Sequence, residues 1–156
     1  MDIRRVVAGY GDDGIPAILS DAPAPAVVDL PPAVGASLVD LWRSESLPLT
    51  AAGRDDPTLA EFALMPGCLF RVIDLAPGEH APLWHTTATV DFNYVVSGEV
   101  TFLHGAEDAP SAVVVRAGES VVVRGIRHAW SNRGPATCRL VCSSVAAVLP
   151  AGVEPG

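Results

Sequence analysis

The sequence predicts an all-β fold, a single barrel or sandwich, on three observations. Fourteen glycines and fourteen prolines cut the 156-residue chain into short segments. The apolar runs between them are rich in valine and about four to eight residues long, which is the length and composition of strands. No helical period lasts beyond two turns, the segment 57–64 being the best short candidate.

A chain of this length sits near the usual size of one domain and can bury roughly two-thirds of its unfolded surface. Apolar residues make up 49% and charged residues 18%, a globular composition. In chain order the strand candidates are 17–19, 27–30, 37–42, 69–75, 91–96, 99–103, 112–115, 120–123 and 139–148. Prolines at 16, 23, 25, 31, 32 and 48 interrupt the first part repeatedly. Proline donates nothing to a sheet ladder, so these strands are expected at edges or in an arm across the barrel. The expected division is an N-terminal arm with edge strands over 1–60, a barrel core over 61–150 and a flexible tail over 151–156. Edge strands invite pairing, and the arm is expected to help form a homodimer.

All ten basic residues are arginine, and eighteen acidic residues bring the formal net charge to −8. That balance repels phosphate backbones and anionic membrane surfaces, so neither nucleic acid nor membrane is an expected partner and a small-molecule substrate is. The absence of lysine removes Schiff-base chemistry. No apolar run of signal-peptide length follows Arg4 and Arg5, and no stretch approaches the ~18 apolar residues that span a bilayer. The expected location is cytoplasmic. Cys68, Cys138 and Cys142 are odd in number and lack zinc-knuckle spacing. Cys138 and Cys142, four apart in an apolar run, read as small buried hydrophobes facing one side. There is no Gly-x-Ser-x-Gly elbow, phosphate loop or dinucleotide fingerprint.

Chemistry concentrates between residues 78 and 132. Side chains alternate across a strand, so in an extended segment His85, Thr87, Thr89, Asp91 and Asn93 point one way while Phe92 and Tyr94 point the other. A polar stripe facing a barrel interior is costly unless its groups bond one another, a ligand or a metal. By the same alternation His128, Trp130 and Asn132 share a face, which sets an aromatic wall beside an imidazole. Arg71, on an earlier strand, could clamp a substrate carboxylate, although arginine on a strand more often points outward into solvent. His80 and His104 sit beside turn-like residues and are expected at the surface. Tyr94 and Trp84 read as packing residues.

The run Gly78 to Gly98, with His85, Thr87, Asp91 and Gly98, and the run Gly118 to Asn132, with Gly125 and His128, resemble the two motifs of the cupin family. Asp91 and Gly98 keep the family's seven-residue spacing, and Gly118, Gly125, His128 and Asn132 match the second motif with one residue fewer between the glycines. The resemblance implies a single cupin jelly-roll β-barrel with an N-terminal Pro-rich arm. It also implies a divalent metal (Zn, Fe, Mn or Ni) held by His85, Asp91 and His128. Two departures bear on that site: Thr87 replaces the second histidine of the usual His-x-His pair, and the usual glutamate is shortened to Asp91. The same trio can act without metal as acid and base, since a histidine near a carboxylate can be poised near neutral pH.

The opening Arg-Arg-Val-Val, the Ile-Leu-Ser-Asp-Ala-Pro segment at 18–23 and the Arg-Gly-x-x-His-Ala-Trp-x-Asn run are similar to small single-domain cupins of natural-product pathways. The resemblance therefore implies a lyase, a dehydratase or decarboxylase acting on a small or polyketide-like carboxylic acid. In that reading His85, Asp91 and His128 are catalytic, and Arg71, Thr87, Asn93 and Trp130 contact substrate. The alternatives are a non-haem metal-dependent dioxygenase or isomerase, and a non-catalytic small-molecule-binding cupin.

Overall fold

The computed structural model describes residues 2–24, 27–44, 47–49 and 67–156; the helix candidate at 57–64 lies outside them. Eleven strands follow one another in the described residues: β1 (Arg4–Tyr10), β2 (Pro16–Pro23), β3 (Val27–Asp29), β4 (Ala36–Ser44), β5 (Cys68–Leu75), β6 (Thr89–Ser97), β7 (Glu99–His104), β8 (Ser111–Arg116), β9 (Ser120–Arg124), β10 (His128–Ser131) and β11 (Cys138–Ala146). The fold is all-β, as expected. β1 and β10 are additions to the expected strands. The first has only a valine pair between arginines and glycine, and the second is four residues long, so neither carries a strong strand signal.

The strands form a six-stranded sheet in the order β3-β4-β5-β11-β6-β9, a three-stranded sheet in the order β10-β7-β8, and a separate β1-β2 ribbon. The two larger sheets enclose the core, in which Leu75, Val95, Val123 and Leu140 of one meet Val100, Phe102 and Val115 of the other. Proline falls where a ladder tolerates it, at both ends of β2 and just after edge strand β3. The β1-β2 ribbon is tied to itself by the Arg4–Asp21 ion pair at 2.7 Å and to the large sheet by Arg5, whose Nη1 donates to the Leu41 carbonyl at 3.1 Å.

Register across the large sheet positions the site. Leu38, Ile73, Leu140 and Val95 lie side by side on β4, β5, β11 and β6, and the next inward row is Asp40, Arg71, Cys142 and Asn93. Beyond it come Leu69, Ser144 and Asp91. The inner face is thus apolar at one end, where it fills the core, and polar at the other.

Two glycines hold connections at opposite ends of the sheet, Gly98 at the apolar end and Gly125 at the polar end. Gly98, between β6 and β7, has φ +76, and a Cβ there would stand 2.9 Å from the Thr137 carbonyl oxygen. Gly125, before β10, has φ +61 and would meet Leu149. Both conformations are ones that side chains other than hydrogen resist. The segment 151–156, expected as a loose tail, returns to the barrel: the Thr86 amide donates to the Gly156 carbonyl at 2.5 Å, the Gly156 amide donates back at 2.9 Å, and Arg127 Nη1 also donates to Gly156 O at 2.8 Å. No helix among the described residues is long and apolar enough to cross a membrane.

Candidate active site

The polar end of the sheet opens into a cavity of about 110 Å³. His85, Asp91 and His128 line it together, as do Arg71, Thr87, Asn93 and Trp130. The alternation expected from His85 to Asn93 holds in outcome although not in detail. Residues 86–88 are irregular and β6 begins at Thr89, yet Thr89, Asp91 and Asn93 are buried while Phe92 and Tyr94 are exposed on the outer face. Tyr94, read as a packing residue, is therefore a surface residue.

His85 and His128 meet because their backbones pair. The His85 amide donates to the His128 carbonyl at 3.0 Å and the His128 amide donates back at 3.1 Å, which places the two side chains directly opposite. Their ring centroids are 4.3 Å apart. Each Nδ1 faces a carbonyl oxygen, Leu83 O at 3.0 Å for His85 and Ile126 O at 2.9 Å for His128. A carbonyl only accepts, so each Nδ1 carries the proton and each Nε2 keeps its lone pair. Every buried polar side-chain atom among the described residues has a partner. The His128 Nε2, which has none, therefore faces open cavity. Burial, followed by the neighbouring His85, pushes the His128 pKa down to about 4 against the raising influence of the Ile126 carbonyl and Asp91. His128 is thus a neutral imidazole at ordinary pH. Phe102 packs against its ring at 5.6 Å, and Trp130 stands edge-on at 6.0 Å.

Asp91 is held by hydroxyls. Thr89 Oγ1 lies 2.7 Å from both Asp91 Oδ1 and Thr87 Oγ1, so its single proton is shared between the carboxylate and the neighbouring hydroxyl. Thr87 also lies 3.5 Å from Asp91 Oδ2. Asn93 donates to the Val121 carbonyl at 3.4 Å. Arg71 departs from the solvent-facing reading: it is 6% exposed and lines the cavity, with Asp40 bonded through both Nε and Nη2, the latter at 3.0 Å. Asp40 and Ser144 were not expected at the site. A lone acid at the inward parity of the apolar run Ser37–Trp42 was the available signal for Asp40. Leu30, Val34 and Leu83 add apolar lining to the cavity.

His80 and His104, expected at the surface, are half-buried; His80 lies between the Pro32 and Pro77 carbonyls, and His104 stacks on Phe102. Asn132 serves structure, donating to Leu75 O and Ala136 O, both at 2.8 Å, and accepting from the Gly134 amide. Cys138 and Cys142 are free and buried, and burial pushes both thiols up to about 11, so they behave as inert small hydrophobes.

The expected metal set is not assembled. Among the described residues no three His, Cys, Asp or Glu side chains group closely enough to share an ion. With Thr87 where a third imidazole would stand, and Asp91 accepting from Thr89, the site offers a pair of imidazoles and a carboxylate lining the same cavity.

Residues 71–144 match the Cupin_2 family, described as a cupin domain. It is 36% identical over 72 residues to oryzines biosynthesis cluster protein J of Aspergillus oryzae, covering 46% of this chain and 37% of that protein. It is 31% identical over 67 residues to phomopsin biosynthesis cluster protein C' of Diaporthe leptostromiformis, covering 43% and 33%. The chain spans about a third of the length of these curated relatives. Its fold matches HppE in the Fe(II) form with a TM-score of 0.57 at 14% identity, over 76% of this chain and 55% of that one. Hydroxypropylphosphonic acid epoxidase from S. wedmorenis in complex with fosfomycin matches with a TM-score of 0.54 at 16% identity, over 76% and 53%. The relatives lie in biosynthesis clusters, and the structural likeness is one of fold.

Proposed function

We propose that this protein is a lyase of natural-product metabolism that dehydrates a small or polyketide-like β-hydroxy acid or acid derivative. The observation that carries this reading is the His85–His128 pair, with both Nδ1 atoms anchored on carbonyls and Nε2 lone pairs left for a ligand in the cavity. Elimination of water needs a proton acceptor at the α-carbon and a donor at the departing hydroxyl. In this mechanism His128 Nε2 takes the α-proton, the C–H electron pair forms the new double bond, and the β-hydroxyl leaves. The imidazole pair returns one proton to that oxygen, so water departs and the pair ends the cycle unchanged. Asp91 favours the transient imidazolium, since its charge acts to raise the His128 pKa.

Dehydration is favoured over decarboxylation because loss of CO₂ calls for a cation to seat the carboxylate, and the guanidinium lining the cavity is occupied by Asp40. Relatives encoded in biosynthesis clusters support the natural-product setting. No step is drawn through a metal, because the donor set as placed does not suit one.

The test is a panel of β-hydroxy acids, esters and thioesters incubated with the wild type and with His128→Gln, with loss of water followed by mass spectrometry. Turnover by the wild type and a loss of about a thousandfold in the variant are expected. Full activity in His128→Gln would sink the assignment.

A further inference from the structure

The imidazole pair is braced from outside the cavity as well as from within it. Residues 86–88 belong to no strand, yet they join His85 to β6 and include Thr87, which lines the cavity. In an extended segment the backbone N–H and C=O groups of successive residues turn to opposite edges. His85 turns its groups toward His128, with bonds of 3.0 and 3.1 Å. Thr86 turns its groups the other way: its amide donates to the Gly156 carbonyl, and the Gly156 amide donates back at 2.9 Å. Two residues on, the Ala88 carbonyl accepts from the Ala147 amide at 2.8 Å. The connection from His85 to β6 thus takes its outer-edge partners from residues that follow the end of β11.

The same segment reaches the connection that carries the second imidazole. Arg127, which directly precedes His128, donates from Nη1 to the Gly156 carbonyl at 2.8 Å and from Nε to Glu107 Oε1 at 3.0 Å, with Nη2 on the same carboxylate. One guanidinium therefore ties residue 156 to the β7–β8 turn, beside the first residue of β10. Leu149 packs over Gly125, where an added Cβ would collide with it. Residues 147–156 thus touch both connections that run into an imidazole, at 86–88 and at 125–127, and they do not line the cavity.

We propose that residues 147–156 form a clasp that fixes the spacing of His85 and His128 from outside the cavity, with Arg127 as its fastening. Arg127 acts through the backbone beside the pair and is a positioning residue. The isolated His85–His128 bridge sets the two rings opposite each other but, as one pair of bonds, leaves the two connections able to turn about it. A second bridge one residue away, at Thr86 and Gly156, with the guanidinium joining it to the His128 side, removes that freedom. Proton transfer is sensitive to such freedom, since a misplacement of about 1 Å can cost on the order of a hundredfold in rate. The effect on rate rests on reading the cavity as the dehydration site, whereas the effect on the pair rests on the backbone bonds alone.

The experiment follows the full chain by NMR, reading amide hydrogen exchange and the nuclear Overhauser effect between the His85 and His128 rings, whose centroids are 4.3 Å apart. Arg127→Gln should speed exchange of the His85, Thr86 and His128 amides by at least about tenfold and weaken the ring contact, while β5 and β11 amides keep their wild-type rates. Arg127→Lys, which keeps a cationic donor, should restore most of both signals. Gly156→Pro deletes the amide that donates to Thr86 and should act as Arg127→Gln does. With a substrate from the panel above, Arg127→Gln should lower kcat about tenfold with KM little changed, because the pair is misplaced while the cavity lining is intact. Should one variant fail to fold, the other decides. Wild-type exchange and ring contact in Arg127→Gln and Gly156→Pro overturn the clasp, and an opened clasp with unchanged kcat overturns the positioning role. Opened variants of a wild type that dehydrates nothing leave the clasp standing and remove the dehydratase reading, whereas a dehydrating wild type whose variants match it in every signal does the reverse.

Discussion

His128 concentrates the physical tension of this molecule. Its ring is almost fully buried against Phe102, with its Nδ1 bonded to a carbonyl. Desolvation disfavours the imidazolium, and the folded-state pKa falls to about 4 from an ordinary value of 6.5. Between those two values the unfolded chain binds a proton that the folded chain does not, so stability declines as pH drops through that window. The loss approaches about 3 kcal/mol once pH falls below the folded pKa. Denaturant unfolding at about pH 7 and about pH 4.5 should show this loss in the wild type and a shallower one in His128→Gln. In the proposed reaction the base must be unprotonated, so the acid limb of kcat/KM for the free enzyme should fall near pH 4. An acid limb lying at the ordinary imidazole value would remove His128 as the base. Chelation supplies a second check. With no three-ligand group among the described residues, overnight dialysis against EDTA should leave turnover unchanged, and a loss restored by one divalent metal would refute metal-free chemistry.

Strands and turns bring these residues together, and their failure modes are separable. In the large sheet, Asp40 and Arg71 are cross-strand partners on β4 and β5, each 6% exposed. Removing Asp40 takes away the carboxylate that bonds the buried guanidinium twice, so Asp40→Ala should destabilise the fold by about 3–5 kcal/mol in urea unfolding. The double variant Asp40→Leu with Arg71→Met should recover much of that loss, which separates the cost of an orphaned charge from the cost of altered shape. At the β6–β7 turn, Gly98 combines a left-handed φ with a close carbonyl. Gly98→Ala should cost about 1–3 kcal/mol, read as a lowered Tm, while leaving the chemistry of the cavity in place. The His85–His128 bridge is an element-level device too: two backbone hydrogen bonds make the pairing, so the placement of the remaining ring survives substitution of the other.

For the whole molecule, the outer face of the six-stranded sheet exposes Phe70, Phe92, Tyr94 and Val122. A homodimer through this face is a prediction, and light scattering should return twice the monomer mass. A monomer at micromolar concentration would refute it. Most of the architecture was legible in the chain. Valine-rich runs between Gly and Pro marked nine of the eleven strands, and period-two alternation put Thr89, Asp91 and Asn93 on the inner face. Those are local properties, carried by composition and by the pleat, so a one-dimensional reading reaches them. The motif spacing likewise brought out His85, Asp91 and His128 as residues of one cavity. Which of them pair, and how, depended on contacts between residues far apart in the chain. Strand register set Asp40 against Arg71, a cross-strand bridge set His85 against His128, and two threonine hydroxyls took up Asp91. Register and hydrogen-bond partnership are choices among many sterically allowed pairings, and packing of the whole barrel selects them. The sequence thus named the chemical groups of the site, and the folded sheet assigned each one its partner and its charge.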